Sequence, residues 1–322
     1  MTELEIAPQG WLDLFERDYL ASFVRDGGAA TKVLVVQPEL TAELVTRLAA
    51  AAQRNGLLFA HVEQTVRRVY YMDRLFNEVA RQIDWLLLAS DFMREALRTH
   101  GYAMPEGKPV VDEIAAGNSI DVGQVRITVE QILTSSVIRD YAMSRDFRVA
   151  MAQLCRSAVE VDDLLSESGA RVVDWLRGDL KTVRAVRSAM IFERINRYNA
   201  RSMLTSLGHW IRLAGKSGLL VAVDVSRFAS GKSVPLPDGT EARPPSQAAV
   251  MDTYEMMRQC IDGTDEMSCV AICFLAGPEF VQDEKRGMRA YSALEQRLTD
   301  DVRDRRRSNP HAPMVRLAAA WT

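Results

Sequence analysis

The sequence predicts an α/β fold: a parallel sheet flanked by helices, with a large helical insertion. A strand-like run, a helical run and a second strand-like run follow one another over residues 32–63. That is the size of a βαβ unit and implies parallel pairing. The run GLLVAVDV at 218–225 is almost continuously apolar, the composition of a central strand buried on both faces. Between these two regions, apolar residues recur every three or four positions over 72–100 and over most of 123–213, which is helical spacing.

In chain order, GWLDLFERDYLASFVRDGG sets Trp11, Leu14, Phe15, Leu20 and Phe23 at helical spacing and stops at Gly27 and Gly28. KVLVV (32–36) reads as a short buried strand, ELTAELVTRLAAAAQRNG as a helix closed by Asn55 and Gly56, and LLFAHVE (57–63) as a second strand. A helix over 72–100 follows. Pro105, Pro109 and the glycines Gly101, Gly107, Gly117 and Gly123 then break the pattern, so 101–123 reads as a hinge before a mostly helical block. After GLLVAVDV come a loop rich in Pro and Gly, a helix over 247–261, the strand MSCVAICFLAG, a charged helix over 285–306 and a closing strand in APMVRLAAAW. The expected division is 1–100 for the first part of the core, 101–213 for the hinge and insertion, and 214–322 for the second part of the core.

Composition narrows the function classes. The chain has 322 residues, 48% of them hydrophobic, and 43 acidic against 40 basic residues give a net charge of -3. No general attraction for nucleic acid follows from that balance, though a local basic patch remains open. The opening MTELEIAPQG lacks the basic and apolar regions of a signal peptide, and no run has the length of a membrane span. A cytoplasmic protein without membrane contact is expected. Cys155, Cys260, Cys269 and Cys273 show no metal-ligand spacing, and the four histidines are scattered. Buried, inert thiols are expected, with Cys269 and Cys273 on one face of a strand.

A phosphate-binding P-loop site needs a Gly-rich turn, a lysine and hydroxyl after it, and an acid on a neighbouring strand for magnesium. Asp224, at the end of its apolar strand, is the candidate acid and magnesium ligand. Val225 and Ser226 follow it, where many ATPases place a glutamate to activate water. After the first strand the chain reads Gln37, Pro38, Glu39, Leu40, Thr41, with no glycine and no lysine. Pro38 removes a donor, Glu39 puts negative charge where phosphate would sit, and both are good helix-starting residues. The Ser230-Gly231-Lys232-Ser233 sequence is no substitute, because Pro235 and Pro237 forbid the helix that must follow. Leu275, Ala276 and Gly277 offer no polar sensor at the end of the next strand. Arg286, Arg289 and Arg297 are arginine-finger candidates, with pairing to Glu284 and Glu295 as the plainer role. Asp162 and Asp163 read as surface carboxylates, and no nucleophile–base arrangement of another enzyme class is present.

From the WLRG turn at Trp175 through GLLVAVDV, the AGPEF strand end and the RG…Y..L..RL helix, residues 175–298 resemble the ATP-binding proteins of BREX bacteriophage-defence systems. The resemblance implies an AAA+-related, P-loop NTPase-like core with Asp224 at the magnesium-binding acid. It also implies work in a multi-subunit assembly, as a homo- or hetero-oligomer, with other defence-system proteins and an active ATPase homologue among the partners. The lysine-bearing loop has no counterpart here, and the helical lid of AAA+ sites is not expected.

Three functions stay open. The first is a non-catalytic scaffold or regulator with a degenerate phosphate loop and no cofactor. The second is an ATP–magnesium-binding subunit completed by a partner chain, whose activity would be ATP hydrolysis. The third is a nucleic-acid-binding subunit using Arg303, Arg305, Arg306 and Arg307, a cluster diluted by three acids and without interleaved aromatic residues.

Overall fold

The computed structural model of the chain describes residues 5–63, 69–160, 163–226, 229–231, 233–235, 241–242, 244–299 and 308–321. Pro8 opens α1 (Pro8–Phe15), a position where its missing N–H has no intrahelical partner to lose. The helix continues in π form over Glu16–Val24 and leads to β1 (Ala29–Val35). Pro38 likewise starts α2 (Pro38–Arg54), and Gly56, at φ 69, turns the chain into β2 (Leu57–Glu63). A helical series follows: α3 (Met72–Arg81), α4 (Trp85–Thr99), α5 (Val111–Asn118), α6 (Val122–Ile132), α7 (Arg145–Val159), α8 (Asp163–Arg177), a 3₁₀ stretch over Val183–Ala189, and α9 (Ala200–Leu213). The chain then forms β3 (Gly218–Val225), the small antiparallel pair β4 (Val234–Pro235) and β5 (Glu241–Ala242), α10 (Gln247–Asp262) and β6 (Val270–Ala276). It closes with α11 (Glu279–Gln282), α12 (Ser292–Leu298) and β7 (Met314–Arg316).

Two compact units result, Met1–Leu75 with Ser217–Thr322, and Phe76–Lys216. The first carries a five-stranded parallel sheet in the order β2-β3-β6-β1-β7. Leu34, Val36, Leu220, Ala222, Ala271, Cys273 and Leu275 point to one face, where they pack with Leu44, Leu48 and Ala51 of α2 and with Trp11, Phe15 and Leu20. Thr31, of opposite parity on β1, donates to the Cys260 carbonyl of α10 on the other face (3.3 Å). Helices therefore cover both faces, as a parallel sheet requires. Beyond β7 the edge is extended by a parallel bridge between Leu317 and Ile6, so the N-terminal segment covers it. No helix among the described residues is long and apolar enough to cross a membrane.

The second unit has its own core. Trp85 meets Phe147 with ring centroids 6.2 Å apart, and Phe92 meets Trp210 at 5.0 Å. This unit starts at Phe76, upstream of the hinge expected at 101–123, because the apolar face of α4 packs against α7.

Of the charged segment after β6, expected as a single helix over 285–306, residues 285–299 depart from that expectation, and 300–306 lie outside the described residues. The chain after β6 is broken into α11, a short 3₁₀ turn at Met288–Ala290 and α12. Gly287 makes the break: a Cβ there would lie 2.3 Å from the Asp283 carbonyl oxygen and 2.7 Å from that of Phe280. All four cysteines are free and buried. Cys269 does not share the strand with Cys273; it precedes β6 at φ 56, in the left-handed region.

Candidate functional site

In this sheet β1 leads out to α2 on one face, while its neighbour β6 leads to α11 and α12 on the side of α10. Neighbouring strands whose connections leave to opposite faces define a switch point, and ligands of open α/β sheets bind outside the carboxyl ends of the strands there. The candidate site is therefore the turn after β1, the turn after β6 and the end of β3 beside them.

The turn after β1 is minimal. Val36 still belongs to the ladder, its N–H donating to the Ala276 carbonyl (2.8 Å), and Gln37 is already the N-cap of α2. Pro38 has no N–H, and the Leu40 N–H is taken by the Gln37 carbonyl (3.0 Å). Glu39 stands exposed in the first turn, setting a negative charge at the positive end of the helix dipole. A phosphate approaching this helix start would meet few free donors and a carboxylate. Lys32 gives no help. It lies within β1, and its ammonium is buried, donating to the carbonyls of His311 (2.5 Å) and Ala312 (3.2 Å) and standing 4.6 Å over the Tyr19 ring. Those carbonyls precede β7, at the end of the sheet opposite the candidate site.

Asp224 is where the sequence puts it, at the end of β3 beside Leu275 of β6 and on the α2 face. Its Oδ1 accepts the Ser226 N–H at 2.8 Å. On its other side, Glu63 ends β2 as its register partner, so two carboxylates stand abreast on neighbouring strands. The turn after β6 closes tightly: a Cβ on Gly277 would lie 2.1 Å from the Ser226 carbonyl oxygen and 3.0 Å from Glu279 Oε2. Among the described residues no group of His, Cys, Asp or Glu has the arrangement of a metal site.

Two of the three arginine-finger candidates are engaged within the chain. Arg286 donates to the Pro245 carbonyl (2.7 Å), while its own carbonyl accepts from the Tyr254 hydroxyl. Arg297 pairs with Asp262 of α10 at 2.5 Å. Arg289 is exposed, 4.0 Å from Glu295. Arg303, Arg305, Arg306 and Arg307 lie outside the described residues, as do Lys232 and Asp162.

Sequence reasoning passed over Glu63 and Arg316. Glu63 ends LLFAHVE as Asp224 ends GLLVAVDV, and two in-register runs each closing on an acid were the available signal. Arg316 is the register partner of Val35 near the same edge, and burial lowers its pKa. Nothing in the closing segment marked it.

Fold and edge together define the class: an α/β protein with a parallel five-stranded sheet, helices on both faces and an acid at the carboxyl end of a central strand. The family model of the BREX system ATP-binding protein BrxC/D matches residues 110–320, more than half of the chain, and the protein belongs to that family. Membership makes it a subunit of a bacterial defence system. The match covers the helical unit from Val110 and the core from β3 onward, and leaves out β1, α2 and β2. No curated protein and no solved structure matches the chain.

Proposed function

We propose that the chain is a non-catalytic, P-loop-like subunit of its defence system, an AAA+-related scaffold or regulator that docks against other proteins of that system. The observation that carries this reading is the two-residue passage from β1 to α2 through Val36 and Gln37 into Pro38. Phosphate binding at a helix start depends on several free backbone N–H groups and on positive charge. Here the first helical position is a proline, the next is an acid, and the lysine of β1 is held at the opposite end of the sheet. The core is kept while the grip on phosphate is lost, as suits a protein that uses this fold for contact.

Calorimetric titration with ATP and magnesium, with Asp224→Ala beside it, tests the reading. No binding heat is expected at millimolar nucleotide from either protein. Binding that vanishes with Asp224→Ala would overturn the proposal. Binding that arises only when a second protein of the system is added would replace it with an ATP-binding subunit completed in trans.

A further inference from the structure

The helical unit carries a cationic and aromatic strip that the nucleotide question leaves untouched. Residues 181–200 hold five cations, Lys181, Arg184, Arg187, Arg194 and Arg197, all exposed, against the single acid Glu193. The 3₁₀ stretch Val183–Ala189 repeats every three residues, so Arg184 and Arg187 stand on one side, about 6 Å apart along the axis. Arg194 donates to the Lys181 carbonyl, which ties the far half of the strip to the near half. Among the described residues none of the five cations makes an ion pair. Elsewhere in the same unit Arg126, Arg156 and Arg171 are matched by Glu160, Glu130 and Glu167. Unneutralised guanidinium groups at this density attract a polyanion.

Two rings are set among these charges. Phe192 is 51% exposed with the Arg145 guanidinium 5.9 Å from its centroid, and Tyr198 is 84% exposed with that of Arg197 at 5.2 Å. An acidic protein would engage the cations without needing the rings, and a duplex hides its base faces. A single strand uses both features, its phosphates on the cations and its bases against the rings. We propose that the strip over 181–198 binds single-stranded nucleic acid without sequence preference, a property independent of whether the core binds nucleotide.

Fluorescence anisotropy of the full chain with labelled oligothymidylate and oligouridylate, repeated across a salt series, tests this. Binding should weaken with salt, and Arg184→Ala with Arg187→Ala should flatten the log–log slope by about 1.4, at about 0.7 per phosphate contact on a single strand. Tyr198→Ala should weaken binding about fivefold or more while leaving the slope unchanged. All three side chains are exposed, so the melting temperature of these variants should match the parent. A preference for one oligonucleotide identifies the strand as DNA or RNA, and either supports the proposal. Four outcomes would each overturn it: no binding at low salt, tighter binding to duplex, equal binding to poly-glutamate, or loss of binding only when Arg303, Arg305, Arg306 and Arg307 are removed.

Discussion

Gly277 sits where the chain leaves β6 and passes the end of β3 so closely that a Cβ would fall 2.1 Å from the Ser226 carbonyl oxygen. The obstacle is backbone, which cannot rotate aside as a side chain would, so the two strand ends must separate to admit even a methyl group. Gly117, near the end of α5, has nothing within 4 Å of its Cβ position. Gly277→Ala is expected to destabilise by about 1–3 kcal/mol, as overpacking does. Gly117→Ala should stabilise by about 0.5–1 kcal/mol, because a helical alanine loses less backbone freedom. Urea midpoints of the two variants decide the matter, and equal shifts would mean that the ends of β3 and β6 have room for a methyl group. The same scale explains Lys32. A lysine in a buried strand position suggests a functional charge, but its hydrogen bonds to two carbonyls and the Tyr19 ring satisfy it where it stands.

At the scale of elements, α12 is held to α10 by a connected set of charges. Glu255 accepts from Arg258 (2.6 Å), Gln259 (2.8 Å) and the Tyr291 hydroxyl (2.6 Å), while Arg297 of α12 reaches Asp262. The Arg258 hydrogen bond, more than any other contact, holds the Glu255 carboxyl at about 2 against an ordinary 4.5. A carboxyl lowered in the folded state stabilises fully above its unfolded pKa, and that stability drains as pH falls toward the folded value. Glu255→Gln should therefore lower the melting temperature at neutral pH, and the gap to the parent should narrow as pH drops below about 4.5. A gap that stays constant from pH 7 into that range would show that Glu255 acts through shape and not charge. Arg297, one of the arginine-finger candidates, is part of this set through Asp262.

Local chemistry explains what was legible here and what was not. β3 and β6 showed as continuous apolar runs, and the helix start at Pro38 and Glu39 is written in two adjacent residues. The break at Gly287 is set by carbonyl oxygens of Asp283, Phe280 and Glu279, which come close only after α11 has turned, so periodicity ran straight through it. Strand order was out of reach for the same reason. Periodicity tells a strand that it is buried, not which strand lies beside it.

For the whole molecule, the division at Leu75 and Lys216 separates two cores with different dependence on the chain. The sheet needs both flanking segments, because β2 pairs with β3 and β1 with β6 across the helical unit in sequence. The helical unit is continuous. Trp85, Phe92, Phe147, Leu154, Trp210 and Ile211 are all buried within Phe76–Lys216. A continuous stretch of about 150 residues buries near 70% of its unfolded surface, enough for an independent domain. Residues 76–216 expressed alone should give helical circular dichroism, a single sigmoidal thermal transition and the blue-shifted emission of buried tryptophans. A gradual melt with exposed apolar surface would be the signature of a compact but loosely packed state. It would mean that residues 76–216 do not close a core around Trp85 and Trp210 by themselves.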